Sequence, residues 1–338
     1  MKIALITPYY YPFVRGNAVT VRRIARSLVR SGCRTEVYSL DSRSASGIAR
    51  RMADAPPRLI HAFHGWLGGR VARAIAAQRG IPYIVTLTGT DVYEALTDIR
   101  REETFAVLHD AARLVAFDPC IRERLGSPAL QEKTVIIPQG VETPGEERRI
   151  PEDLIFSGGS FTFLLPAGLR PIKQVLFPLA PLAEIYRYEP RVRLLLAGPV
   201  IDPAYAARVM GELERHPFAH YLGGIDHGAI GCLYRRADAV LNTSLFEGGM
   251  ANSILEAMSL AKPVLVADIE GNRAIVREGV TGLLYRTEAE FREKAERLIT
   301  DPVLARQLGH EAKRLVLEEF SPEREVSAYL ELYREVVG

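Results

Sequence analysis

The stretch ADAVLNTSLFEGGMANSILEAMSLAKPVLVAD, residues 237–268, combines two apolar runs, a glycine-rich loop and a helical pattern. ADAVLNTS (237–244) and PVLVAD (263–268) are rich in the β-branched and apolar residues that favour strands. Between them we expect a loop at 248–250 and a helix over 251–261. Nearly continuous apolar strands joined by a helix are typical of a parallel sheet that is covered on both faces.

The same alternation of strands and helices continues in both directions from this stretch. Ten further apolar runs predict strands: KIALIT (2–7), TEVYSL (35–40), RLIHAF (58–63), YIVTLT (83–88), RLVAF (113–117), TVIIP (134–138), FTFLLPAG (161–168), VRLLLAG (192–198), FAHYLGG (218–224) and TGLLY (281–285). Helical patterns such as VTVRRIARSLVRSG (19–32) lie between most of them.

The alternation breaks once, at TPGEERRIPEDLIFSGGS (143–160), which has the Pro, Gly and charge content of a linker. The predicted fold class is therefore α/β, with two Rossmann-like, doubly wound parallel-sheet domains at 1–145 and 160–321. Such sheets bind ligands beyond the carboxyl ends of their strands, so we expect an inter-domain cleft. Ser321 before a Pro predicts the start of a final helix, 322–338, which is expected to pack back onto the first domain.

Composition and charge exclude several classes of protein. The 338 residues are 48% hydrophobic, and 43 Lys and Arg against 41 Asp and Glu leave a net charge of +2, so a nucleic-acid-coating protein is not expected. Three dispersed cysteines suggest neither a disulfide framework nor a zinc knuckle, and favour a reducing, cytoplasmic setting. The N-terminus reads as a strand and not as a signal peptide, and no apolar run is long enough for a transmembrane helix. Any membrane contact is expected to be peripheral.

Four motifs occur in an order that resembles glycosyltransferase family 4: VIIPQGV (135–141), GLRPIK (168–173), the E-G…E-A-M segment of 242–268, and VREGVTGLLY (276–285). Within that family the chain looks most like the glycosyltransferase 1 domain-containing branch, with some similarity to selenosugar synthases. The resemblance implies the two-domain GT-B fold. It also implies a retaining enzyme that moves a sugar from a nucleotide sugar, UDP favoured over GDP, to an acceptor. The donor is then a co-substrate, and no separate cofactor is expected.

The donor residues are expected around the glycine-rich loop. Backbone N–H groups of Gly248, Gly249, Met250, Ala251 and Asn252 can approach a diphosphate, and the positive end of the following helix adds to the attraction. By resemblance, the first Glu of the motif contacts sugar hydroxyls and the second contacts the ribose.

The two motif glutamates are Glu247 and Glu256, and each has a complication. Their spacing is one residue longer than the family usually has, so an extra loop residue could re-aim Glu247. Glu256 has a structural alternative, because Ser253 three residues earlier could form a capping box with it.

By resemblance to the family, Arg170 and Lys173, just after a strand, are the cations expected to face the donor phosphates. Fixed positive charges lower the barrier when negative charge grows on a leaving group. The structural alternative is a solvated pair at a helix start. Further donor contacts are expected at Gly16 and Asn17 in the first domain, and at Gly224 and Ile225 after the FAHYLGG strand: these four complete the predicted donor set.

Acceptor contacts are predicted in the first domain at strand ends. His61 lies near the end of the predicted third strand, and His64 directly follows it. For each, a structural role in which its hydrogen bonds are satisfied inside the protein is an equal alternative. Thr88 occupies the place of a family His near the reacting carbon. Asp91 is expected either to orient its loop or to bind an acceptor hydroxyl. The acceptor itself, whether a small molecule, a lipid-linked sugar or a glycan, is not encoded in a readable motif.

No D-x-D or cluster with metal-ligand spacing is present in the sequence, so a metal-free reaction is predicted. Two other functions stay open at this point. One is a nucleotide-sugar epimerase or hydrolase on the same fold. The other is a non-catalytic subunit that binds nucleotide sugars, which the extra loop residue and Thr88 would suit. The oligomeric state is not predicted.

Overall fold

The computed structural model of the chain describes residues 1–10, 16–94, 96–145, 159–226 and 228–338. These residues form two compact units, each with its own sheet. The first unit comprises Met1–Gly140, Gly248–Met250 and Glu319–Gly338, and the second comprises Val141–Glu247 and Ala251–Glu318.

The first unit is built on a six-stranded parallel sheet with the order β2-β1-β3-β4-β5-β6. Its strands are β1 Lys2–Thr7, β2 Arg34–Ser39, β3 Leu59–Phe63, β4 Tyr83–Thr86, β5 Arg113–Ala116 and β6 Thr134–Ile136. Its first seven helices are α1 Gly16–Arg30, α2 Ala45–Asp54, α3 Gly69–Arg79, α4 Thr90–Tyr93, α5 Arg101–Asp110, α6 Pro119–Glu123 and α7 Pro128–Glu132. A π-helix, His64–Gly68, joins β3 to α3.

Alternate residues of the strands supply two cores, one on each face of this sheet. Ile3 and Leu5 of β1 belong to one core, while Ala4 and Ile6 belong to the other. Successive side chains of a strand point to opposite faces, so a strand that is apolar throughout requires cover on both sides.

The second unit repeats this plan with the strand order β12-β11-β10-β7-β8-β9. Its strands are β7 Phe161–Pro166, β8 Val192–Ala197, β9 Ala219–Tyr221, β10 Ala239–Asn242, β11 Val264–Ala267 and β12 Leu283–Tyr285. Its helices are α8 Leu179–Tyr186, α9 Pro203–Leu213, α10 Ile230–Arg236, α11 Asn252–Ser259, α12 Glu270–Arg273, α13 Glu288–Thr300 and α14 Pro302–Glu319, with a 3₁₀ helix at Pro171–Lys173.

The last helix, α15 Pro322–Val337, belongs to the first unit. It begins as predicted, because the Ser321 hydroxyl caps it by accepting from the Arg324 N–H at 3.2 Å. Its residues Val326, Tyr329 and Tyr333 share a core with β1. Thus α15 covers part of the face that α1 also covers.

The fold class predicted from the sequence is confirmed, and each of the twelve predicted strands overlaps an observed strand. One predicted helix is present but shorter than expected, and the helix start considered as an alternative for Arg170 and Lys173 is not an α-helix. The helix expected over 251–261 is the shorter α11, and the chain leaves it through Ala261 in the left-handed region, at φ 57°. No α-helix starts at Arg170, since a three-residue 3₁₀ helix follows it. Most of the predicted linker, 146–158, lies outside the described residues.

Candidate active site

The carboxyl ends of three neighbouring strands in the second unit carry the polar residues of the candidate site. Strand β10 pairs with β7 on one side and β11 on the other, all in parallel. The segments that follow these strands therefore leave from the same edge of the sheet. They contain Arg170 and Lys173 after β7, residues 242–247 at the end of β10, and Asn272 after β11.

Lys173 and Glu247 form an ion pair at this edge. The Lys173 Nζ lies 2.5 Å from Oε1 of Glu247, and the two side chains are only 18% and 12% exposed. Asn242 Nδ2 and the Ser244 hydroxyl donate to the same oxygen, at 2.9 and 2.7 Å. Within the described ranges no group donates to Oε2 of Glu247. One carboxylate oxygen is therefore saturated, and the other is available to a ligand.

The electrostatics of Glu247 follow from this arrangement. Burial raises the pKa of the Glu247 carboxyl, but the Lys173 charge and the hydrogen bonds from Lys173, Asn242 and Ser244 outweigh burial and lower it overall. Glu247 is thus a carboxylate at neutral pH. It can accept hydrogen bonds from sugar hydroxyls, which charge makes stronger.

The loops after β7 and β10 are fastened to each other by two further bonds. The Thr243 hydroxyl donates to the carbonyl of Lys173 at 2.7 Å, and the Leu245 N–H donates to the carbonyl of Ile172 at 2.9 Å. These bonds fix the backbone that carries the ion pair. The distance between Lys173 and Glu247 is therefore set by the fold and not only by their charges.

Arg170 differs from Lys173 in its surroundings. It is exposed and extended, with φ −154° and ψ 153°, and it forms no ion pair or hydrogen bond with any residue that the structure describes. Its guanidinium is free to bind an anion, and its geometry suits two phosphate oxygens at once.

The glycine-rich loop leads into α11 as predicted in outline. Gly249 has φ 151°, within the region that favours glycine. Ala251 is the N-cap of α11 and provides no side-chain cap, and Asn252 is the first helical residue. Met250 and Ala251 are buried. The first N–H groups of α11 have no capping side chain, which leaves the backbone suited to an anion.

The capping-box alternative for Glu256 is wrong, because Ser253 lies inside α11 and is not its N-cap. Glu256 is instead buried, and its Oε2 accepts from the Tyr234 hydroxyl at 2.9 Å. Burial and the nearby carboxylate raise the pKa of Tyr234 well above its usual value, so the hydroxyl remains a donor. Tyr234 was not found by sequence reasoning, since an apolar helix residue carries no signal of this contact.

The four outlying donor candidates have simpler surroundings. Gly16 and Asn17 are the first two residues of α1 in the first unit. The Asn17 Oδ1 is buried and has no hydrogen-bond partner in the part of the chain that the structure describes. Gly224 and Ile225 follow β9 in the second unit, and Gly224 is exposed.

The acceptor candidate His61 lies in the interior of the first unit. It is fully buried in β3, and its ring nitrogens lie 2.6 Å from the Tyr333 hydroxyl and 2.7 Å from that of Thr86. Burial lowers its pKa to about 3, so the ring is neutral. The prediction of acceptor contact is wrong for His61, since both nitrogens are already bonded inside the protein; the structural alternative holds.

The second candidate, His64, begins the π-helix in a strained conformation, with φ 72°. Its Nδ1 accepts from the Leu67 N–H at 3.2 Å, so the neutral ring carries its proton on Nε2. The Nε2–H then donates to the Thr90 hydroxyl at 3.0 Å. Burial lowers the pKa of His64. His64 itself is 5% exposed, and its Nε2 is engaged by the Thr90 hydroxyl.

Asp91 orients the loop after β4, which was one of the two roles expected for it. It is fully buried, and its carboxylate accepts from the N–H groups of Gly65, Thr88 and Gly89 at 2.7, 3.0 and 2.7 Å. The backbone of Thr88 is thereby held in place, and its side chain is half-buried. Asp91 has no exposed surface for an acceptor hydroxyl.

Asn242, Ser244 and Asn272 are site residues that sequence reasoning missed. Asn272 donates from Nδ2 to Oδ1 of Asn242 at 3.2 Å and to the Ala267 carbonyl at 2.8 Å. Asn242 and Ser244 stand directly at the predicted end of β10, and that position was the available signal.

The described residues contain neither a cluster of metal ligands nor a helix that could span a membrane. No group of three His, Cys, Asp or Glu side chains in those ranges is arranged to hold a metal ion. Of the helices in the described ranges, none combines the length and apolar character needed to cross a bilayer.

Comparisons with known proteins agree with this architecture. A family model for group 1 glycosyl transferases matches residues 160–301, and a glycosyl transferase 4-like model matches 39–140. Glycosyltransferase 1 domain-containing protein 1 of Xenopus tropicalis is 35% identical over 262 residues, 74% of this chain and 75% of that protein.

Solved structures show the same fold at lower identity. Sucrose-phosphate synthase from Thermosynechococcus elongatus has a TM-score of 0.83 at 20% identity, covering 99% of this chain and 98% of that one. Anabaena HepE in complex with UDP-glucose has a TM-score of 0.82 at 17% identity, covering 99% and 100%.

The two six-stranded parallel sheets and the family matches define a glycosyltransferase of the GT-B fold. More narrowly, the chain belongs to the glycosyltransferase family that includes the Xenopus glycosyltransferase 1 domain-containing protein 1.

Proposed function

We propose that the protein transfers a hexose or N-acetylhexosamine from a UDP- or GDP-sugar to a hydroxyl of an acceptor, with retention and without a metal ion. The single observation that carries this proposal is the edge of the second sheet, where Lys173, Arg170 and Glu247 follow adjacent strands. Two cations and an ionised carboxylate match the diphosphate and the hydroxyls of a nucleotide sugar.

The cations would act on the leaving group. When the bond between the sugar carbon and the diphosphate breaks, negative charge grows on the phosphate oxygen. Arg170, Lys173 and the amino end of α11 can stabilise that charge without reorganising. Such stabilisation replaces the part that a divalent cation plays in other transferases.

Retention follows if the acceptor hydroxyl attacks on the same face that the diphosphate leaves. The acceptor oxygen forms the new bond to the sugar carbon, and its proton passes to the departing phosphate oxygen. No separate general base is then required. The proposal of retention rests on the resemblance to glycosyltransferase family 4. Membership of that family is itself part of the proposal, and so is the weaker similarity to selenosugar synthases.

The two glutamates would divide the donor between them. Oε2 of Glu247, which accepts no bond within the described residues, would take a sugar hydroxyl, while Glu256 beyond the glycine loop would take the ribose. The contacts proposed at Gly16, Asn17, Gly224 and Ile225 stay predictions. UDP is the favoured nucleotide, and the HepE complex with UDP-glucose supports that choice.

The acceptor, whether a small molecule, a lipid-linked sugar or a glycan, is proposed only as a class that presents a hydroxyl. A cytoplasmic location and peripheral membrane contact stay predictions from the sequence.

A thermal-shift panel of nucleotides and nucleotide sugars tests the donor. A ligand at 100 times its dissociation constant adds about 2.7 kcal/mol to the free energy of unfolding. We expect UDP or GDP and one of their sugars to raise the melting temperature in excess EDTA, and ATP or NAD not to. A shift that requires Mn²⁺ or Mg²⁺ would contradict the metal-free reaction, and incubation that yields a new sugar isomer would indicate an epimerase. The anomeric configuration of a transfer product, read by NMR, tests retention.

A further inference from the structure

The side-chain amide of Asn242 has one possible orientation. Asn242 is 5% exposed, at the end of β10. The Ser244 N–H donates to its Oδ1 at 3.1 Å, and because a backbone N–H cannot accept, the oxygen must face that side. Nδ2 of Asn242 then faces Glu247 and donates to its Oε1 at 2.9 Å.

Asn272 holds Asn242 from the other side, and this arrangement leaves the side-chain oxygen of Asn272 without a partner among the described residues. Its Nδ2 must face the Ala267 carbonyl, which can only accept, so the amide cannot be reversed. Both Nδ2 protons are then engaged, one by Ala267 and one by Oδ1 of Asn242. The Oδ1 of Asn272 is buried and has no partner in the described part of the chain. Buried polar atoms normally have partners, so this exception calls for a functional explanation.

The consequence appears at Glu247. Asn242, Ser244 and Lys173 all donate to Oε1, and this concentrates the protein's hydrogen bonds on one oxygen of the carboxylate. The side chain cannot rotate to share them without breaking bonds. Oε2 accepts no hydrogen bond within the described residues, and its direction is set by residues that follow two neighbouring strands, β7 and β10.

We infer that Asn242 and Asn272 are positioning residues, which orient Glu247 so that its Oε2 accepts a hydrogen bond from a hydroxyl of the donor's sugar. This inference rests on the proposed function, in which Glu247 contacts that sugar. Neither asparagine touches the ligand. Their removal therefore affects recognition of the sugar and spares recognition of the nucleotide.

Calorimetry on the full chain tests the inference. UDP-glucose, UDP-N-acetylglucosamine and GDP-mannose are titrated, with UDP and GDP, and the sugar nucleotide that wild type binds most tightly is used throughout. We expect Asn242→Ala and Asn272→Ala to weaken it by about fivefold or more, as for one lost hydrogen bond, and to leave the bare nucleotide within about twofold.

Thr287→Ala is the matched control, since it removes only the N-cap bond from Glu290 to the Thr287 hydroxyl in the same unit. It should lower the melting temperature and leave both affinities unchanged. A loss of sugar affinity in Thr287→Ala equal to that in the asparagine variants would mean that stability alone causes the effect, and would overturn the inference.

Asn242→Asp gives a signature that a structural role would not. The groups that face position 242 and can titrate are Glu247, Lys173 and Tyr285, whose hydroxyl donates to the Asn242 carbonyl. Two carboxylates side by side raise the pKa of one of them. When that group is protonated it can donate to Oε1 of Glu247 as Nδ2 does. Sugar affinity of the variant should therefore recover as the pH falls from about 8 to about 6, while wild type changes little. No recovery would count against positioning.

Glu247→Gln separates this inference from the proposed function. If that variant binds the sugar nucleotide as well as wild type does, or if wild type binds no sugar nucleotide, the proposed function is wrong and the inference falls with it. If Glu247→Gln loses sugar affinity but the two asparagine variants do not, only the inference is wrong. In the expected case, Asn242→Ala adds no further loss in a Glu247→Gln background.

Discussion

Arg170 and Lys173 lie three positions apart in the sequence but differ in what they contact. Lys173 is paired with Glu247, whereas Arg170 has no partner among the described residues. We expect Arg170→Ala to keep the free energy of unfolding within about 0.5 kcal/mol of wild type. Its turnover should fall by about 10²–10³, because a preorganised charge is lost from the leaving group.

Lys173→Ala should behave differently, since it leaves a half-buried carboxylate without its cation. We expect weaker binding of UDP or GDP and a lower melting temperature. Arg208→Ala, an exposed cation on α9, is the control and should match wild type in steady-state kinetics and in thermal unfolding. If both Arg170→Ala and Lys173→Ala keep wild-type kinetics, these cations do not belong to the site.

The variant Glu256→Gln tests the proposed ribose contact, and its interpretation is simple because Glu256 does not form a capping box in the structure. Gln at this position can still accept from the Tyr234 hydroxyl, so the fold should hold. The charge that strengthens hydrogen bonds from ribose hydroxyls is lost, and affinity for bare UDP or GDP should fall by about 1–2 kcal/mol. Calorimetry measures this directly.

Glu247→Gln provides the contrast, because that residue is proposed to meet the sugar and not the ribose. The Glu247→Gln variant should bind the bare nucleotide nearly as tightly as wild type does. Equal losses of bare-nucleotide affinity in both variants would mean that the extra residue in the glycine loop has exchanged their roles.

Among elements, α15 forms ion pairs with the rest of the first unit in two contrasting environments. Arg23 of α1 donates twice to Glu325, at 2.8 and 2.9 Å, with side chains 3% and 1% exposed. Arg113 pairs with Glu335 on the surface, with side chains 40% and 54% exposed. Arg23 is thus a buried residue of α1 although it is charged.

The two pairs predict different costs on unfolding. Glu325→Gln should lower the free energy of unfolding by about 3–5 kcal/mol, because it leaves a buried guanidinium without its counter-charge. Glu335→Gln should cost less than about 1 kcal/mol. Urea denaturation of both variants checks this. The double variant Arg23→Met/Glu325→Leu should recover much of the loss, and equal costs for the two glutamine variants would refute the distinction.

The elements themselves were predictable because their signal is local. Runs such as KIALIT are apolar at their four central positions, Ile3 to Ile6, and such short apolar runs are typical of strands covered on both faces. The end of α11 was not predictable, since Leu260 and Ala261, the residues that follow Ser259, are both compatible with a longer helix. Tertiary packing decides where such a helix ends, and the local sequence pattern carries no information about that packing.

At the scale of the whole molecule, charge and residue type predicted which residues are candidates for the site, but they did not predict which residues those candidates contact. Lys173 and Glu247 were expected from motif and position, but their mutual ion pair was not. His61 illustrates the reverse case. A His at a strand end suits a ligand, yet Tyr333, which occupies its Nδ1, is 272 positions away in the sequence. Contacts at such separation depend on the complete fold.

His61 also predicts how the whole protein responds to acid. Its pKa is lowered from 6.5 to about 3 in the folded state, because the ring is buried. Between these values the unfolded chain binds a proton that the folded chain does not. The stabilisation that results is complete above about pH 6.5 and is lost as the pH falls toward 3, at about 1.4 kcal/mol per pH unit.

Replacing His61 by Gln should remove this contribution to the pH dependence of the free energy of unfolding. The variant will be less stable at pH 7, since hydrogen bonds to Tyr333 and Thr86 are disturbed. Between about pH 6 and about pH 4, however, its free energy of unfolding should fall less steeply than that of wild type. His310→Gln, an exposed residue of α14, is the control and should keep the wild-type slope. Urea denaturation across this range measures all three proteins. A His61→Gln slope equal to that of wild type would mean that His61 takes up a proton in the folded protein, which its two buried hydrogen bonds argue against.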